Sequence, residues 1–229
     1  MKRLSFEVGG YYHVYNRGTE SRIIFLDDCD FRRFIHYLNV LNWTKIIQPK
    51  MLKMVEGIDL ADIVVPAGER LVELCTFCLM PNHYHLLLRE LVPGGISRFL
   101  QRMGTAYTML FNFRYERTGV LFQGKYKCKA VEDSEYLRWI IDYIHLNPKD
   151  LFFSEGQASG QQMVDFITDY PWSSVRAVGG EGPWSRYIQP KCLEEELNLA
   201  SYLTCFRQAY TGIEAAIAAG DHLHKLRID

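Results

Sequence analysis

No apolar run in the 229-residue chain approaches the roughly 20 residues needed to cross a bilayer, and segments such as Ile23–Phe25 and Leu86–Leu88 sit among polar or charged neighbours. A membrane partner is therefore not expected. Cysteine is also sparse: Cys29, Cys75, Cys78, Cys128, Cys192 and Cys205 are too few in a chain of this length to build a disulfide framework, and reduced thiols fit a cytoplasmic setting. Cys75 and Cys78 have CxxC spacing. They lie in LVELCTFCLM, however, which reads as a buried strand whose residues three apart face opposite sides, against a redox or zinc role. The start, MKRLSFEVGG, has no apolar stretch after its basic residues, so a secretory signal is not expected. Net charge is small as well, −1 from 26 Lys and Arg against 27 Asp and Glu, and no internal repeat is visible. With 48% hydrophobic residues the chain is no disordered polymer, and it can bury a core without cross-links.

The small net charge conceals a local excess. Between Arg98 and Lys129 the cations Arg98, Arg102, Arg114, Arg117, Lys125, Lys127 and Lys129 face one acid, Glu116, whereas from Lys191 onward four cations face six acids. Such a basic segment is the footprint of phosphate binding, or else a solvated helix face.

Element signals alternate along the chain. Tyr11–Asn16 has strand composition, and Asp27-Asp28 can cap a helix with Phe31, Phe34, Ile35, Leu38 and Leu41 on one face. Residues 42–70, broken by Pro49, Gly57, Pro66 and Gly68, read as a variable insertion. Leu71–Met80 and His83–Arg89 form a hairpin about Pro81-Asn82, followed by a helix over Ile96–Tyr115. The segment Val120–Ala130 reads as a loop into a wet edge strand. A helix capped by Asp133 or Ser134 runs to about Asn147, where Pro148 is expected to stop it. Tyr170–Ser174 reads as a structured turn and Cys192–Ala219 as a helical appendage. This order predicts the α+β class, a ferredoxin-like sandwich with one antiparallel sheet covered by helices. The expected division is a main domain over 1–180 and a helical extension over 181–229.

Two short patterns carry chemistry. His83-Tyr84-His85 on a strand places two imidazoles on one face, where they can ligate one metal or serve as half-buried hydrogen-bonding groups. His222-Leu223-His224 has the same spacing in a polar tail with nothing nearby to complete a site. Tyr143 and Asn147 lie one helical turn apart, so a phenol and an amide oxygen share a face; the plainer alternative is a packed tyrosine and a helix cap. Together they predict two histidines and an amide oxygen on a hard divalent cation, Mg2+ or Mn2+, beside a tyrosine nucleophile.

The segments YHVYNRG (12–18), MPNHYHLLL (80–88), GVLFQGKYK (119–127), YLRWIIDYIHLNP (136–148) and YPWSS (170–174) resemble, in order, the motifs of the single-tyrosine HUH transposases of the insertion-sequence-200 type. The closer likeness is to the REP-associated tyrosine transposases. The resemblance spans about residues 8–180. It implies cleavage and rejoining of single-stranded or hairpin DNA through a 5′-phosphotyrosine and a free 3′-hydroxyl. It also implies Tyr143 as nucleophile and His83, His85 and Asn147 as ligands of the divalent metal. Tyr84 here fills the position between the histidines that is usually hydrophobic.

On this reading Arg114, Arg117, Lys125, Lys127 and Lys129 hold DNA phosphates, and Tyr115, Phe122 and Tyr126 stack on unpaired bases unless they are core residues. His13 and Tyr15 line the site and His145 is structural. The alternatives are a non-catalytic single-stranded nucleic-acid-binding module and a metal-dependent hydrolase with no covalent intermediate. Either a monomer or a homodimer accommodates these roles.

Overall fold

A computed structural model of the chain describes residues 5–45, 68–154, 160–194 and 197–211. The expectation of a variable insertion falls largely on 46–67, outside the described residues, as do the tail histidines. Four strands, β1 (Tyr11–Arg17), β2 (Val72–Met80), β3 (His83–Glu90) and β4 (Lys127–Val131), form one antiparallel sheet in the order β2-β3-β1-β4. The α+β class read from the sequence holds. The chain divides into two compact units, Met1–Leu74 with Pro81–Val131, and Cys75–Met80 with Glu132–Asp229.

In the first unit the register pairs Tyr15 with both His85 and Lys127, and His13 with Leu87 and Lys129. Directly opposed residues share a face, so Tyr11, His13, Tyr15 and Arg17 lie beside His83, His85, Lys127 and Lys129, while Tyr12, Val14, Tyr84 and Leu86 point the other way. That second face is apolar and is covered by helices α1 (Asp28–Val40) and α2 (Gly95–Arg114). Phe34 packs on Tyr84 and, edge to face, on Tyr107; Phe122 joins both tyrosines. Asp27 caps α1 by accepting from the Asp30 amide at 3.1 Å, as expected. At α2 a cap less visible in the sequence operates: the buried Glu90 carboxylate accepts from the amides of Gly94 and Ile96 at 2.7 and 2.9 Å.

Gly18 ends β1 in a backbone conformation open to any residue, yet a Cβ there would collide with the Arg22 carbonyl. On either side of it Thr19 and Gln123 donate to the Leu121 and Arg17 carbonyls, at 2.9 Å each, tying the GVLFQGK loop to the end of β1. The ends of the variable insertion are pinned too, because the Asn42 amide bonds both backbone groups of Val72 at 2.8 and 2.9 Å.

The second unit is built on α3 (Ser134–Leu146), whose Leu137, Ile140, Ile141 and Ile144 are buried and whose cap is Asp133, accepting from Tyr136 at 2.7 Å. The helix stops at Leu146 with Asn147 as its C-cap, as expected before Pro148. Asn147 stays in the right-handed helical region before the proline, and α4 (Lys149–Ser154) starts at once. The Asn147 side-chain amide compensates, donating to the Tyr143 and Ile144 carbonyls at 2.9 and 3.3 Å, the latter being the acceptor that Pro148 lacks an N–H to reach. After α5 (Gly160–Asp169) the Tyr170–Ser174 turn runs along β2: Leu79 donates to Trp172 and Ser174 to Phe77 at 2.9 and 3.0 Å. Helix α6 (Val175–Val178) follows. The expected appendage over Cys192–Ala219 is less continuous than its composition suggests, with single 3-10 turns at Pro190–Leu193 and Leu199–Ser201 before α7 (Tyr202–Thr211). Residues 212–219 lie outside the described residues. Cys75 and Cys78 are both buried, and the Cys75 sulfur lies 3.1 Å from that of Cys192. Among the described residues no helix is long and apolar enough to cross a membrane.

Candidate functional site

Strand alternation puts His83 and His85 on one face, and the structure shows them adjacent, with ring centroids 5.1 Å apart and planes nearly perpendicular. Each is held through Nδ1. His83 Nδ1 lies 2.7 Å from the Asn82 side-chain oxygen, so it carries the proton and donates. His85 Nδ1 lies 2.9 Å from Nε2 of His13, whose ring stacks on it at 5.1 Å. Tyr15 stacks on both His13 and His85, at 5.0 and 5.6 Å, closing a three-ring cluster. Burial pushes the His13 imidazole down to about 3, aided by Lys129. Burial, then His13, His83 and Arg17, hold His85 well below its ordinary range. His13 and His85 are therefore neutral at ordinary pH, the form in which imidazole ligates a metal.

On α3, Tyr143 stacks on Trp139 at 5.3 Å and Trp139 on Tyr136 at 5.4 Å, all nearly parallel. This ladder of residues 136, 139 and 143 fixes the plane of the Tyr143 ring. Asn147 lies one turn on, with its amide nitrogen committed to helix carbonyls as described above. Trp139 is a supporting residue that the sequence reading passed over, although its spacing of three and four from two tyrosines was the signal. His145 is structural as expected: it is fully buried, and burial lowers its imidazole to about 3.

The basic segment divides by local pairing. The Arg114 guanidinium bonds Asp27 and Asp30 at 2.6 Å each, which raises its already high pKa further. Tyr115 donates to Asp30 at 2.7 Å. These bonds tie the end of α2 to the cap of α1. Arg117 donates to Asn112 at 2.8 Å and lies over the Phe111 ring. Lys125 is exposed before β4, while Lys127 and Lys129 project from the histidine-bearing face, with the Lys127 ammonium 5.6 Å from the centre of the Tyr15 ring. The Tyr126 hydroxyl is 3.4 Å from that of Ser97. The structure thus groups His83, His85, His13, Tyr15, Lys127 and Lys129 on one sheet face, and Tyr143 with Asn147 on one helix. It ties Arg114 to α1 instead. Among the described residues no group of three or more His, Cys, Asp or Glu side chains is arranged to hold a metal ion; the expected donor set has two such residues and an amide.

These features define an α+β protein with a paired-histidine strand and a later tyrosine–asparagine helix. Residues 60–147 match the family described as "Transposase IS200 like", so the likeness read from the motifs is shown over that stretch. Among solved structures, the chain is similar to "Structure of the REP associates tyrosine transposase bound to a REP hairpin", with 17% identity, a TM-score of 0.50, and 80% of this chain and 88% of that one covered. At that identity the likeness establishes the fold. A bacterial tRNA(His) guanylyltransferase (Thg1)-like protein in complex with ATP aligns at 11% identity and a TM-score of 0.38, over 73% of this chain and 70% of that one. No curated protein matches the chain.

Proposed function

We propose that the chain cuts and rejoins single-stranded or hairpin DNA through a covalent 5′-phosphotyrosine, with Tyr143 as nucleophile. The observation that carries this reading is the transposase family match over residues 60–147, a stretch that contains His83, His85, Tyr143 and Asn147 together. The likeness in fold to a tyrosine transposase bound to a REP hairpin supports hairpin DNA as partner. Residues 1–180 hold the chemistry in this reading and 181–229 form an extension. We place the reaction in the cytoplasm, where thiols stay reduced.

In the cutting step the Tyr143 phenol oxygen bonds to phosphorus and the bond from phosphorus to the 3′-oxygen breaks. The phenol loses its proton and the departing 3′-oxygen gains one, leaving a 5′-phosphotyrosine and a 3′-hydroxyl. Rejoining reverses the exchange, so the phosphodiester energy is kept. An unperturbed phenol has a pKa near ~10, so attack at neutral pH needs its proton accepted as the bond forms. Stacking on Trp139 limits the directions in which the phenol oxygen can point.

In kind, two imidazoles and an amide oxygen suit a divalent cation. His83 and His85 would ligate through Nε2, because Asn82 and His13 engage their Nδ1 atoms, the second layer of hydrogen bonds that orients ligating imidazoles. Asn147 would ligate through its side-chain oxygen, its nitrogen being spent on Tyr143 and Ile144. Bound there, Mg2+ or Mn2+ supplies neutralisation of the phosphate charge. Arg117, Lys125, Lys127 and Lys129 hold the DNA backbone and Tyr126 stacks on a base; Arg114, tied to two aspartates, contributes least.

The test is incubation of the chain with Mg2+ or Mn2+ and an end-labelled hairpin oligonucleotide bearing single-stranded flanks. A denaturation-resistant protein–DNA adduct is expected, lost in Tyr143→Phe and reduced in His83→Ala, His85→Ala and Asn147→Ala. An adduct undiminished in Tyr143→Phe overturns the assignment of the nucleophile. Cleavage with no adduct replaces it by metal-dependent hydrolysis, and salt-sensitive binding without cleavage by a binding module.

A further inference from the structure

Beside Tyr143 in the sequence starts a chain of hydrogen bonds, half-buried at Asp142 and fully buried further in, that the cleavage chemistry does not use. Two phenols of α7 converge on Asp142, the residue before Tyr143: the Tyr202 hydroxyl donates to one carboxylate oxygen at 2.9 Å and the Tyr210 hydroxyl to the other at 3.0 Å. Having given its proton to Asp142, the Tyr202 hydroxyl accepts from His145 Nδ1 at 2.8 Å, which assigns the Nδ1–H form of that imidazole. His145 Nε2 then accepts from Thr76 at 2.7 Å, and Ser174 donates to Thr76 at 3.0 Å. Thr76, His145 and Ser174 have no exposed surface and Tyr202 has 5%, while Asp142 and Tyr210 are half-buried at the outer end, so the inner links meet no substrate. It is a frame.

What it frames is the rotation of α3. Asp142 and His145 lie three positions apart and so on one side of the helix, whereas Tyr143 lies on the stripe it shares with Trp139. A buried polar network with every member satisfied specifies one arrangement. A helix with its side chains is about 10–12 Å across, so a rotation of roughly 10° moves its outer atoms by about 1 Å. A displacement of that size at a reacting atom is enough to slow a reaction about a hundredfold.

We propose that Tyr202 and Tyr210, acting through Asp142 and His145, are positioning residues that set the rotational phase of α3 and with it the aim of the Tyr143 phenol. This rests on Tyr143 being the nucleophile. It gives the C-terminal extension a role: α7 is a brace for the reactive helix.

The experiment compares wild-type chain, Tyr202→Phe/Tyr210→Phe, Asp142→Ala and Asp142→Asn, using the labelled hairpin oligonucleotide with Mn2+. At saturating DNA the adduct forms at least tenfold more slowly in the double variant and in Asp142→Ala, with DNA affinity within twofold of wild type. Asp142→Asn, whose amide accepts from Tyr202 and faces Tyr210 with a donor, stays within threefold. Fluorotyrosine at position 143 gives a second readout, its 19F resonance displaced in the double variant and Asp142→Ala but not in Asp142→Asn. Should the double variant fail to fold, Tyr210→Phe alone carries the comparison. Equal losses in Asp142→Asn and Asp142→Ala, or an unmoved resonance in the hydroxyl-deleted variant, overturn the proposal. A wild-type chain that forms no adduct overturns the nucleophile instead, and the fluorine signal alone then decides whether α7 sets the surroundings of residue 143.

Discussion

His13 Nε2 lies 2.9 Å from His85 Nδ1, joining adjacent strands through the side chains of residues 72 positions apart. Were His85 to ligate through Nε2, as proposed, its Nδ1 would carry the proton and donate to His13, and His13 would orient that ligand. Removing such a partner typically weakens metal binding 10- to 100-fold. We expect His13→Ala to lose Mn2+ affinity in about that range by titration calorimetry, while His13→Gln, which keeps an acceptor, loses less. Equal affinity in all three chains contradicts this relationship.

The basic residues are expected to separate in a salt titration of DNA binding. Each phosphate contact to a single strand contributes about 0.7 to the slope of log affinity against log salt. Lys127→Ala and Lys129→Ala should each flatten the slope by about that amount. Arg114→Ala should leave it unchanged but lower stability by about 2 kcal/mol in urea denaturation, because Asp30, 1% exposed, loses its cation. A flattened slope in Arg114→Ala would show that its ion pairs open to bind DNA.

His36 lies on α1, buried, with neither ring nitrogen hydrogen-bonded among the described residues. Burial, with Arg33 adding to it, lowers its pKa to about 4 from 6.5. The unfolded chain therefore takes up a proton below pH 6.5 that the folded chain refuses until about pH 4, and stability falls across that window. His36→Leu should raise stability by about 1–3 kcal/mol at neutral pH and flatten the melting temperature between pH 6.5 and 4. A lower melting temperature at pH 7 would indicate a partner for this imidazole.

Asp142 has the opposite sign. Burial raises its carboxyl pKa against the lowering effect of the Tyr202 and Tyr210 hydrogen bonds. The folded chain then binds the proton more readily than the unfolded one, so this group favours folding at low pH and progressively less as pH rises through the raised value. Asp142→Asn should match or exceed wild-type stability at pH 7, with the difference closing on acidification as Asp142 itself becomes neutral. A deficit at pH 7 that persists in acid would show that the charge stabilises the network.

Local signals were read well where period and chemistry coincide. Alternation placed both imidazoles of HYH on one face, the Asp27 and Asp133 caps stand where expected, and the YPWSS turn is structured. What escaped depends on contacts distant along the chain. Arg114 looks like a free cation until the fold brings Asp27 and Asp30 to it, and His145 acquires its role only from Thr76 and Tyr202. The His13–His85 bond needs the strand register, which no single segment encodes. The stop before Pro148 was legible, but the asparagine side chain that takes up the carbonyl left free by the proline is visible only in three dimensions.

The Tyr170–Ser174 turn lies along β2, at one margin of the sheet, and the opposite margin, β4, displays Lys127 and Lys129. A sheet margin left bare is a template on which foreign strands polymerise. Here part of one side is covered by the chain's own backbone and the other deters neighbours by repulsion, so Lys127 and Lys129 guard the protein against fibrous self-association.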